Sequence, residues 1–364
     1  MFASGSRHPG AHEADPAALS YRAAGVDIDA GDLMVRAIAP AVARTHSARV
    51  LRGLGHFGGF FRVGPAGPNA TLVASIDGVG TKLMVAQLAG KHAGIGADIV
   101  HHCVNDILAC GATPLFFLDY FATGRLDADI GTQVVEGIAR ACEAHDIALL
   151  GGETAEMPGL YTGNDYDLAG VIVGIVDAER IVDGARIGPG DVILGLPSSG
   201  FHTNGYSLIR AALGLNSNDE RVRERLRSGL PFNPSESVED ALLRPHRCYL
   251  PQLRELLDGD ELRGMAHITG GGIPGNLGRV IPDGLTARID LTSWTPPTLF
   301  EWILERGHIA EDEAFRVFNM GIGFVLVCAR DDVAAVLRAA PEGLIIGEVI
   351  EGDGARVILE RRSG

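Results

Sequence analysis

Short apolar runs of strand length alternate with helix-spaced apolar positions along most of the chain. In its first half, four apolar runs predict strands, and two stretches with apolar residues three or four positions apart predict helices. The strand candidates are TLVASI (71–76), PLFFLDYF (114–121), IALLG (147–151) and LAGVIVGIV (168–176), and the helix candidates are 97–108 and 132–144. This alternation predicts an α/β domain.

A turn-rich joint, VDGARIGPGD (182–191), interrupts this pattern before the strand candidate DVILGLP. The alternation then resumes as far as EGLIIGEVI (342–350). We therefore place a domain boundary near residue 187. The predicted fold is α/β (α+β) with two domains. A flexible extension covers residues 1–20, an N-terminal domain residues 21–186, and a C-terminal α/β domain residues 187–364.

Composition narrows the class of protein. The chain has 364 residues, of which 46% are hydrophobic, enough to build a core in each of two domains. Its formal net charge of −15 argues against a nucleic acid polymer or an anionic membrane as a partner. Its five cysteines form no C-x-x-C pair, which favours reduced thiols over a zinc site. No apolar signal-peptide core follows the N-terminus, so we expect a cytoplasmic protein.

The first candidate site follows the TLVASI run, which ends at Asp77 and continues as Gly78-Val79-Gly80-Thr81-Lys82. A carboxylate at a strand end can hold a hard cation such as Mg²⁺, and glycines let backbone N–H groups approach an anion. A solvated turn is the simpler alternative, because Asp-Gly turns end many strands. The chain has no G-x-x-x-x-G-K-[ST] sequence, so any ATP is not held by a P-loop.

Further oxygen ligands occur on two other predicted elements. His102, Asn105 and Asp106 stack on one face of the first predicted helix. One interpretation is a helix whose polar face meets water. The other is that Asp106, with Asn105, completes a cation site begun by Asp77. Glu153 follows the end of the IALLG strand and offers a third carboxylate.

Three glycine-rich loops are candidate phosphate contacts. Gly53-Leu54-Gly55-His56-Phe57-Gly58 fits G-x-G-x-x-G, but it follows a helical pattern, which favours a flap or an exposed loop over a dinucleotide site. SSGFHTNG (198–205) lies between a strand and a helix, where backbone donors favour an anion, with His202 beside them. HITGGG (267–272) repeats this arrangement. Two such loops predict a phosphorylated substrate.

Taken together, these motifs resemble the phosphoribosylformylglycinamidine cyclo-ligases, also called aminoimidazole ribonucleotide synthetases, of de novo purine synthesis. The resemblance starts at YRAAGVDIDAG (21–31) and continues through DGVGTK, VNDILACGATPLFFLDYFATG, GGETAEMPGLY, SSGFHTNGYSL, HITGGG and FNMGIG. It implies that ATP phosphorylates the formyl oxygen of formylglycinamidine ribonucleotide, after which the amidine nitrogen closes the imidazole ring and phosphate leaves. It also implies a homodimer whose N-terminal sheets join in a shared β-barrel.

The resemblance also implies roles for individual residues. Lys82 and His202 are expected to be catalytic, and Asp77, Asp106 and Glu153 to bind Mg²⁺. The expected ATP contacts are Gly55, Gly58, Gly59, Gly78, Gly80, Thr81, Lys82, Asn105 and Glu153. The expected contacts to the phosphorylated ribonucleotide are Ser199, Gly200, His202, Thr203, Asn204, Gly271 and Gly272.

Three residues depart from the family pattern. Arg22 replaces an expected lysine and keeps the charge with a different geometry. His56 replaces a glycine and should stiffen its loop. Phe201 replaces a proline before His202 and leaves that loop freer than proline would.

Two alternatives stay open. One is a small-molecule phosphotransferase of the same superfamily, which includes thiamine monophosphate kinase, selenophosphate synthetase and the hydrogenase-maturation ATPase. The SSGFHTNG and HITGGG loops favour the cyclo-ligase, and no cysteine precedes Cys103, whereas selenophosphate synthetase is expected to carry a reactive one. The other is a catalytically silent nucleotide-binding partner protein. The presence of Asp77, Lys82, Asp106 and His202 together argues against it.

Overall fold

The computed structural model describes residues 28–48, 50 and 70–361, which form two β-sheets with their helices. The strands are β1 (Ala70–Gly78), β2 (Thr113–Thr123), β3 (Ala148–Glu156), β4 (Tyr166–Asp177), β5 (Val192–Pro197), β6 (Gly229–Leu230), β7 (Asn233–Ser237), β8 (Leu262–His267), β9 (Leu285–Asp290), β10 (Ile322–Cys328), β11 (Leu344–Glu351) and β12 (Val357–Glu360). Gly55, Gly58 and Gly59, like the departures Arg22 and His56, lie outside the described residues.

The helices carry most of the remaining described chain. They are α1 (Ile28–Arg44), α2 (Lys82–Ala89), α3 (Ala93–Leu108), α4 (Ala128–Ala144), α5 (Tyr206–Leu213), α6 (Glu220–Arg227), α7 (Val238–Leu242), α8 (Leu250–Leu253), α9 (Gly272–Leu277), α10 (Thr298–Gly307), α11 (Glu311–Val317) and α12 (Val333–Ala339). Short 3₁₀ turns lie at Ala178–Arg180, Arg254–Asp258 and Arg330–Asp332. None of the helices in the described part of the chain combines the length and apolar composition needed to cross a membrane.

The N-terminal sheet has four strands in the order β1-β4-β2-β3, and all four match predicted runs. Strand β4 runs antiparallel to β1 and β2, whereas β3 runs parallel to β2. Helix α3 lies directly on β4 because that strand has glycine at the contact. A Cβ atom on Gly170 would lie 2.2 Å from the Phe117 ring, and one on Gly174 would lie 2.6 Å from Ile107 Cδ1.

The two faces of this sheet differ. Helices α1, α3 and α4 pack against one face. The opposite face is apolar and open: Leu72 and Ile76 are 57% and 68% exposed, and the register places them beside Ile175 and Val171. Within the described residues the sheet stays open and does not close into a barrel, so the predicted shared barrel requires a second chain.

The C-terminal sheet has six strands in the order β12-β9-β11-β5-β10-β8, and its central strands β5 and β10 are buried on both faces. Successive residues of β5 pack into different hydrophobic clusters. Leu194 belongs to a hydrophobic cluster that continues into the N-terminal helices α1, α3 and α4, whereas Ile193 packs with the C-terminal helices α5 and α10. The two predicted domains therefore share a continuous core, and this packing fixes the cavity between them.

Candidate active site

A cavity of about 500 Å³ lies between β1 and α3 on one side and β8 and α9 on the other. This volume is within the usual range for a small-molecule site. Its polar lining residues include Ser75, Asp77, Asp106, His267, Asn276 and Arg279. The structure thus brings Asp77 and Asp106 to one cavity, as the sequence predicted.

Both carboxylates are held in the ionised form. Asp106 Oδ1 accepts a hydrogen bond from His267 Nδ1 at 2.8 Å, and its Oδ2 accepts one from Ser75 Oγ at 2.9 Å. Burial opposes ionisation of Asp106, but the bond from His267 and the charges of His267 and His102 outweigh burial, so its pKa is lowered. Burial likewise opposes ionisation of Asp77, and contact with His102 reverses that effect and lowers the pKa.

His102 connects the Asp77 carboxylate to the loop after β5. Its Nε2 lies 2.7 Å from Asp77 Oδ2, and its Nδ1 lies 2.8 Å from Thr203 Oγ1. Burial disfavours the charged imidazole, but contact with Asp77 and the charges of Asp106 and Asp77 outweigh burial and raise the pKa of His102. The His102 imidazole therefore links Thr203 to Asp77, one of the two carboxylates that line the cavity.

The predicted catalytic residue His202 does not face the cavity. It is 1% exposed and stacks on His246, with ring centroids 3.8 Å apart and planes 24° apart. Burial lowers its pKa well below the ordinary value, and the charges of neighbouring His267 and Lys82 add to that effect. The histidine that lines the cavity is His267. The catalytic role of His202 stays a prediction.

The predicted phosphate ligand Lys82 is also buried. Its Nζ lies 2.7 Å from Asp98 Oδ2 and donates to the Arg244 carbonyl at 2.8 Å, and both charged side chains are 0% exposed. Asp98 Oδ1 in turn accepts from the His246 backbone N–H at 2.7 Å. The ion pair therefore joins α2 to α3 within the N-terminal domain, and the bond to the Arg244 carbonyl ties it to the segment before α8 in the C-terminal domain. Lys82 is thus buried away from the cavity in this structure, and its catalytic and ATP-binding roles stay predictions.

Asn105 and Glu153 are not brought to the two aspartates either. Asn105 is fully buried, where its amide donates to Arg247 O at 2.8 Å and accepts from Tyr249 N at 3.0 Å. Glu153 is exposed and is paired in register with Tyr120 on the open face of the N-terminal sheet. Asp77 points to the helix-covered face, so one chain does not place Glu153 in the same cation site.

The remaining predicted phosphate contacts occupy turns. Gly78 ends β1, Gly80 adopts a positive φ of 68°, and Thr81 Oγ1 forms a 2.9 Å hydrogen bond with Ser207 Oγ. This bond ties the turn to α5. A positive φ favours glycine at position 80 because a Cβ would strain the left-handed backbone.

The two C-terminal loops meet beside the cavity. A Cβ atom on Gly270 would lie 3.3 Å from Asn204 Oδ1. Ser199 Oγ donates to the Pro245 carbonyl at 2.7 Å, and the Gly200 carbonyl accepts from Ser198 Oγ at 2.9 Å.

The Gly271 and Gly272 amides are already engaged. Their N–H groups donate to Arg316 O and Thr269 O, both at 3.0 Å. This differs from the open anion cradle that the sequence suggested, because the turn into the short helix α9 uses these donors internally.

The chain is similar in sequence to one family of known proteins along most of its length. Family models described as "AIR synthase related protein, N-terminal domain" and "AIR synthase related protein, C-terminal domain" match residues 58–176 and 188–360. The chain is 48% identical over 340 residues to the phosphoribosylformylglycinamidine cyclo-ligase of Myxococcus xanthus, covering 92% of this chain and 97% of the relative. It is 50% identical over 317 residues to that of Methylobacillus flagellatus, covering 87% and 89%.

The chain belongs to the phosphoribosylformylglycinamidine cyclo-ligase family. Solved structures of lower identity share the fold. Thiamine-monophosphate kinase from Stenotrophomonas maltophilia is 20% identical with a TM-score of 0.64, covering 90% of this chain and 97% of that chain. The hydrogenase maturation protein HypE in complex with ATP is 20% identical with a TM-score of 0.61, covering 90% of each. These two proteins therefore share the fold of this chain, and the family is the predicted cyclo-ligase family.

Three histidines near this cavity had no role assigned to them from the sequence. His102 precedes Asp106 by four positions, so its place on the same helix face was a usable signal for their proximity. His267 ends β8 directly before the glycine run, which was a second signal. His246 lies in an irregular segment between α7 and α8, and no periodicity or motif marked it.

Proposed function

We propose that this cyclo-ligase family member converts formylglycinamidine ribonucleotide to 5-aminoimidazole ribonucleotide with hydrolysis of ATP to ADP and phosphate. The observation that supports this most is the interdomain cavity in which ionised Asp77 and Asp106 meet His267. Relatives that carry the cyclo-ligase name match nearly the whole chain. The structurally similar HypE was crystallised in complex with ATP, which supports ATP as the nucleotide.

The reaction has two bond exchanges. First, the bond between the γ-phosphorus of ATP and ADP breaks while the formyl oxygen of the substrate bonds to that phosphorus. Then the amidine nitrogen attacks the activated carbon, the carbon–oxygen bond breaks, and phosphate leaves with the electron pair as the nitrogen loses a proton. The protein has to align the two substrates and neutralise phosphate charge.

Asp77 and Asp106 suit a magnesium ion. Both are ionised and line one wall of the cavity, and carboxylate oxygens are preferred Mg²⁺ ligands. When bound there, Mg²⁺ supplies charge neutralisation to the ATP phosphates. Ser75 and His267 fix the Asp106 carboxylate on both of its oxygens. The exposed Arg279 guanidinium, on the same cavity, offers a cation for the phosphate of the ribonucleotide.

The two domains divide this work. The N-terminal domain supplies Asp77 and Asp106 and binds ATP with Mg²⁺, and the C-terminal domain binds the ribonucleotide. The candidate substrate contacts stay Ser199, Thr203 and Asn204. Their loop is connected to the cavity because His102 contacts both Thr203 and the cavity residue Asp77. The nucleotide contacts assigned to Gly55, Gly58 and Gly59 also stay predictions.

Replacing one carboxylate tests the site. Asp106→Asn keeps the size and planar shape of the side chain but removes a charge that the proposed cation needs. We expect at least a 100-fold lower kcat for coupled ADP and imidazole formation, on the order of the loss from one electrostatic catalytic group. Asp331→Asn, which alters an exposed residue of the 3₁₀ turn Arg330–Asp332, should keep wild-type activity. Near-normal turnover of Asp106→Asn in a folded protein would contradict the proposed role.

We also propose a homodimer through the open face of the N-terminal sheet. Leu72 and Ile76 are more than half exposed there, and the neighbouring β2 and β4 positions are apolar as well. Burying such a face against a second copy gives a symmetric interface and lets two sheets form the predicted shared barrel. Glu153, on the same face, would then lie at the subunit interface.

A charge on the open face tests the dimer. Ile76→Arg points into solvent in one chain, so its monomer should fold, whereas a dimer would have to bury an unpaired charge. Light scattering should report twice the 38.3 kDa chain mass for the wild type and for Ile345→Asp, which alters an exposed residue of β11. Ile76→Arg should report one chain mass. A wild type that is active as a monomer would exclude the proposed dimer.

A further inference from the structure

We propose that Asn319 is a positioning residue for the ribonucleotide, because its side chain holds the SSGFHTNG loop (198–205) in one shape. Asn319 belongs to the FNMGIG sequence (318–323), a turn that leads from α11 into β10. The inference rests on the proposed function, which takes this loop as a substrate contact.

The Asn319 side chain joins the loop to the turn before β10. It is 3% exposed, its Nδ2 donates to the Gly200 carbonyl at 2.9 Å, and its Oδ1 accepts from Ser198 Oγ at 3.1 Å. Oδ1 also accepts from the Gly321 backbone N–H at 2.9 Å. A carbonyl can only accept and a backbone N–H can only donate, so these two partners fix which end of the amide is oxygen.

The same turn receives the loop at two further points. The Ser198 N–H donates to the Gly321 carbonyl at 2.8 Å. Gly323 leaves room for the loop, since a Cβ atom there would lie 2.5 Å from His202 Cε1 and 3.1 Å from Ser198 Cβ. The start of the loop therefore takes its position from the FNMGIG turn.

The loop backbone needs this outside support. His202 has a φ of 60°, which residues other than glycine rarely adopt. Such a strained conformation persists only where surrounding contacts over-determine it. The bond from Asn319 fixes the peptide between Gly200 and Phe201, directly before His202. Because the C=O and N–H of a trans peptide point in opposite directions, this bond also sets the side of the loop to which the Phe201 N–H points.

Other contacts keep the loop folded when Asn319 is replaced. The Phe201 ring packs on those of Phe300 and Phe318, with centroids 4.2 and 5.1 Å apart. Loss of the Asn319 bonds should therefore shift the peptide after Gly200 without unfolding the loop. The shift should weaken binding of the ribonucleotide and spare that of ATP, which the N-terminal domain is proposed to bind.

Steady-state kinetics with each substrate varied in turn test the proposal. Asn319→Ala should raise KM for formylglycinamidine ribonucleotide about tenfold, the size of effect expected for one hydrogen bond, and should change KM for ATP less than about twofold. Asn218→Ala is the matched control, because it removes an exposed asparagine that accepts from Arg223 at the surface. It should leave both constants unchanged.

Asn319→Asp separates positioning of the loop from a simple role in the turn. At pH 8 its carboxylate still accepts from the Gly321 N–H and from Ser198 Oγ, but it repels the Gly200 carbonyl. This variant should therefore show the same selective rise in KM for the ribonucleotide as Asn319→Ala. Wild-type KM values in Asn319→Asp, or an equal rise in both KM values, would overturn the proposal.

Hydrogen exchange of the wild-type protein keeps the proposal testable even if neither variant folds. The ribonucleotide should slow exchange in residues 198–205 and 318–323 together, whereas ATP with Mg²⁺ should not. Protection of only one segment, or of neither, would overturn the positioning role.

Turnover by the wild type distinguishes the two possible failures. If the wild type forms no imidazole from the ribonucleotide, the proposed function fails and this inference fails with it. Normal wild-type turnover with an unchanged KM in Asn319→Ala would overturn the positioning role alone.

Discussion

Replacing Lys82 by methionine separates a structural role from a catalytic one. The chain has two lysines, Lys82 and Lys91, and Lys82 is fully buried against Asp98. Burial lowers the pKa of Lys82 and raises that of Asp98, and each partner's charge opposes the shift of the other. Lys82→Met would leave the Asp98 carboxylate buried without its cation.

The structure sets the size of the effect. Removing one partner of a buried ion pair costs roughly 3–5 kcal/mol. For 364 residues the unfolding entropy is about 0.8 kcal/mol per kelvin, so Tm should fall by about 5 °C. Lys82→Met combined with Asp98→Asn should recover more than half of that loss, because the amide carries no charge and still accepts from the His246 N–H.

Differential scanning calorimetry with a parallel turnover assay measures both roles. Lys91→Met is the matched control, since this half-exposed lysine pairs at the surface with Glu239 and Asp240. Exposed pairs contribute about 0–1 kcal/mol, so its Tm should change by at most about 1 °C. If Lys82→Met kept its Tm but lost turnover, the buried-pair reasoning would be refuted, and the phosphate contact suggested by the sequence would be correct.

Two further predictions concern the N-terminal domain. Gly96→Ala should strongly lower the free energy of unfolding measured in urea, because a Cβ there would lie 2.2 Å from the Val134 carbonyl oxygen at the α3–α4 contact. Unchanged stability would show that the two helices can separate. Burial raises the pKa of Asp119 to about 7. The folded state therefore holds an extra proton between about pH 3.9, the unfolded value, and pH 7, and stability falls as pH rises through that window. Asp119→Asn should raise Tm relative to wild type more at pH 8 than at pH 5, and an equal change at both would contradict the shift.

Much of the architecture was readable from the sequence. The apolar runs around Leu72, Phe117 and Ile172 all became strands of one sheet, since each was too apolar for a solvated loop. The convergence of Asp77 and Asp106 was also predictable, because one ends a strand and the other lies on the polar face of the next long helix.

Other features depend on distant contacts that no local pattern encodes. The burial of Lys82 requires Asp98 and the Arg244 carbonyl, and these come from separate elements. The side of the sheet on which Glu153 lies depends on strand register, which shifts by one residue between Phe117 and Leu118 in the pairing with β3. The position of His246 behind the cavity follows from the packing of an irregular segment.

The stoichiometry of the reaction tests the central claim most directly. Purified protein with ATP and Mg²⁺ should release phosphate only when formylglycinamidine ribonucleotide is present, with one ADP and one phosphate formed for each 5-aminoimidazole ribonucleotide. A site that closes around both substrates protects ATP from water until the second one binds. Phosphate release at a similar rate without the ribonucleotide, or accumulation of a phosphorylated product with no imidazole, would contradict the cyclo-ligase account.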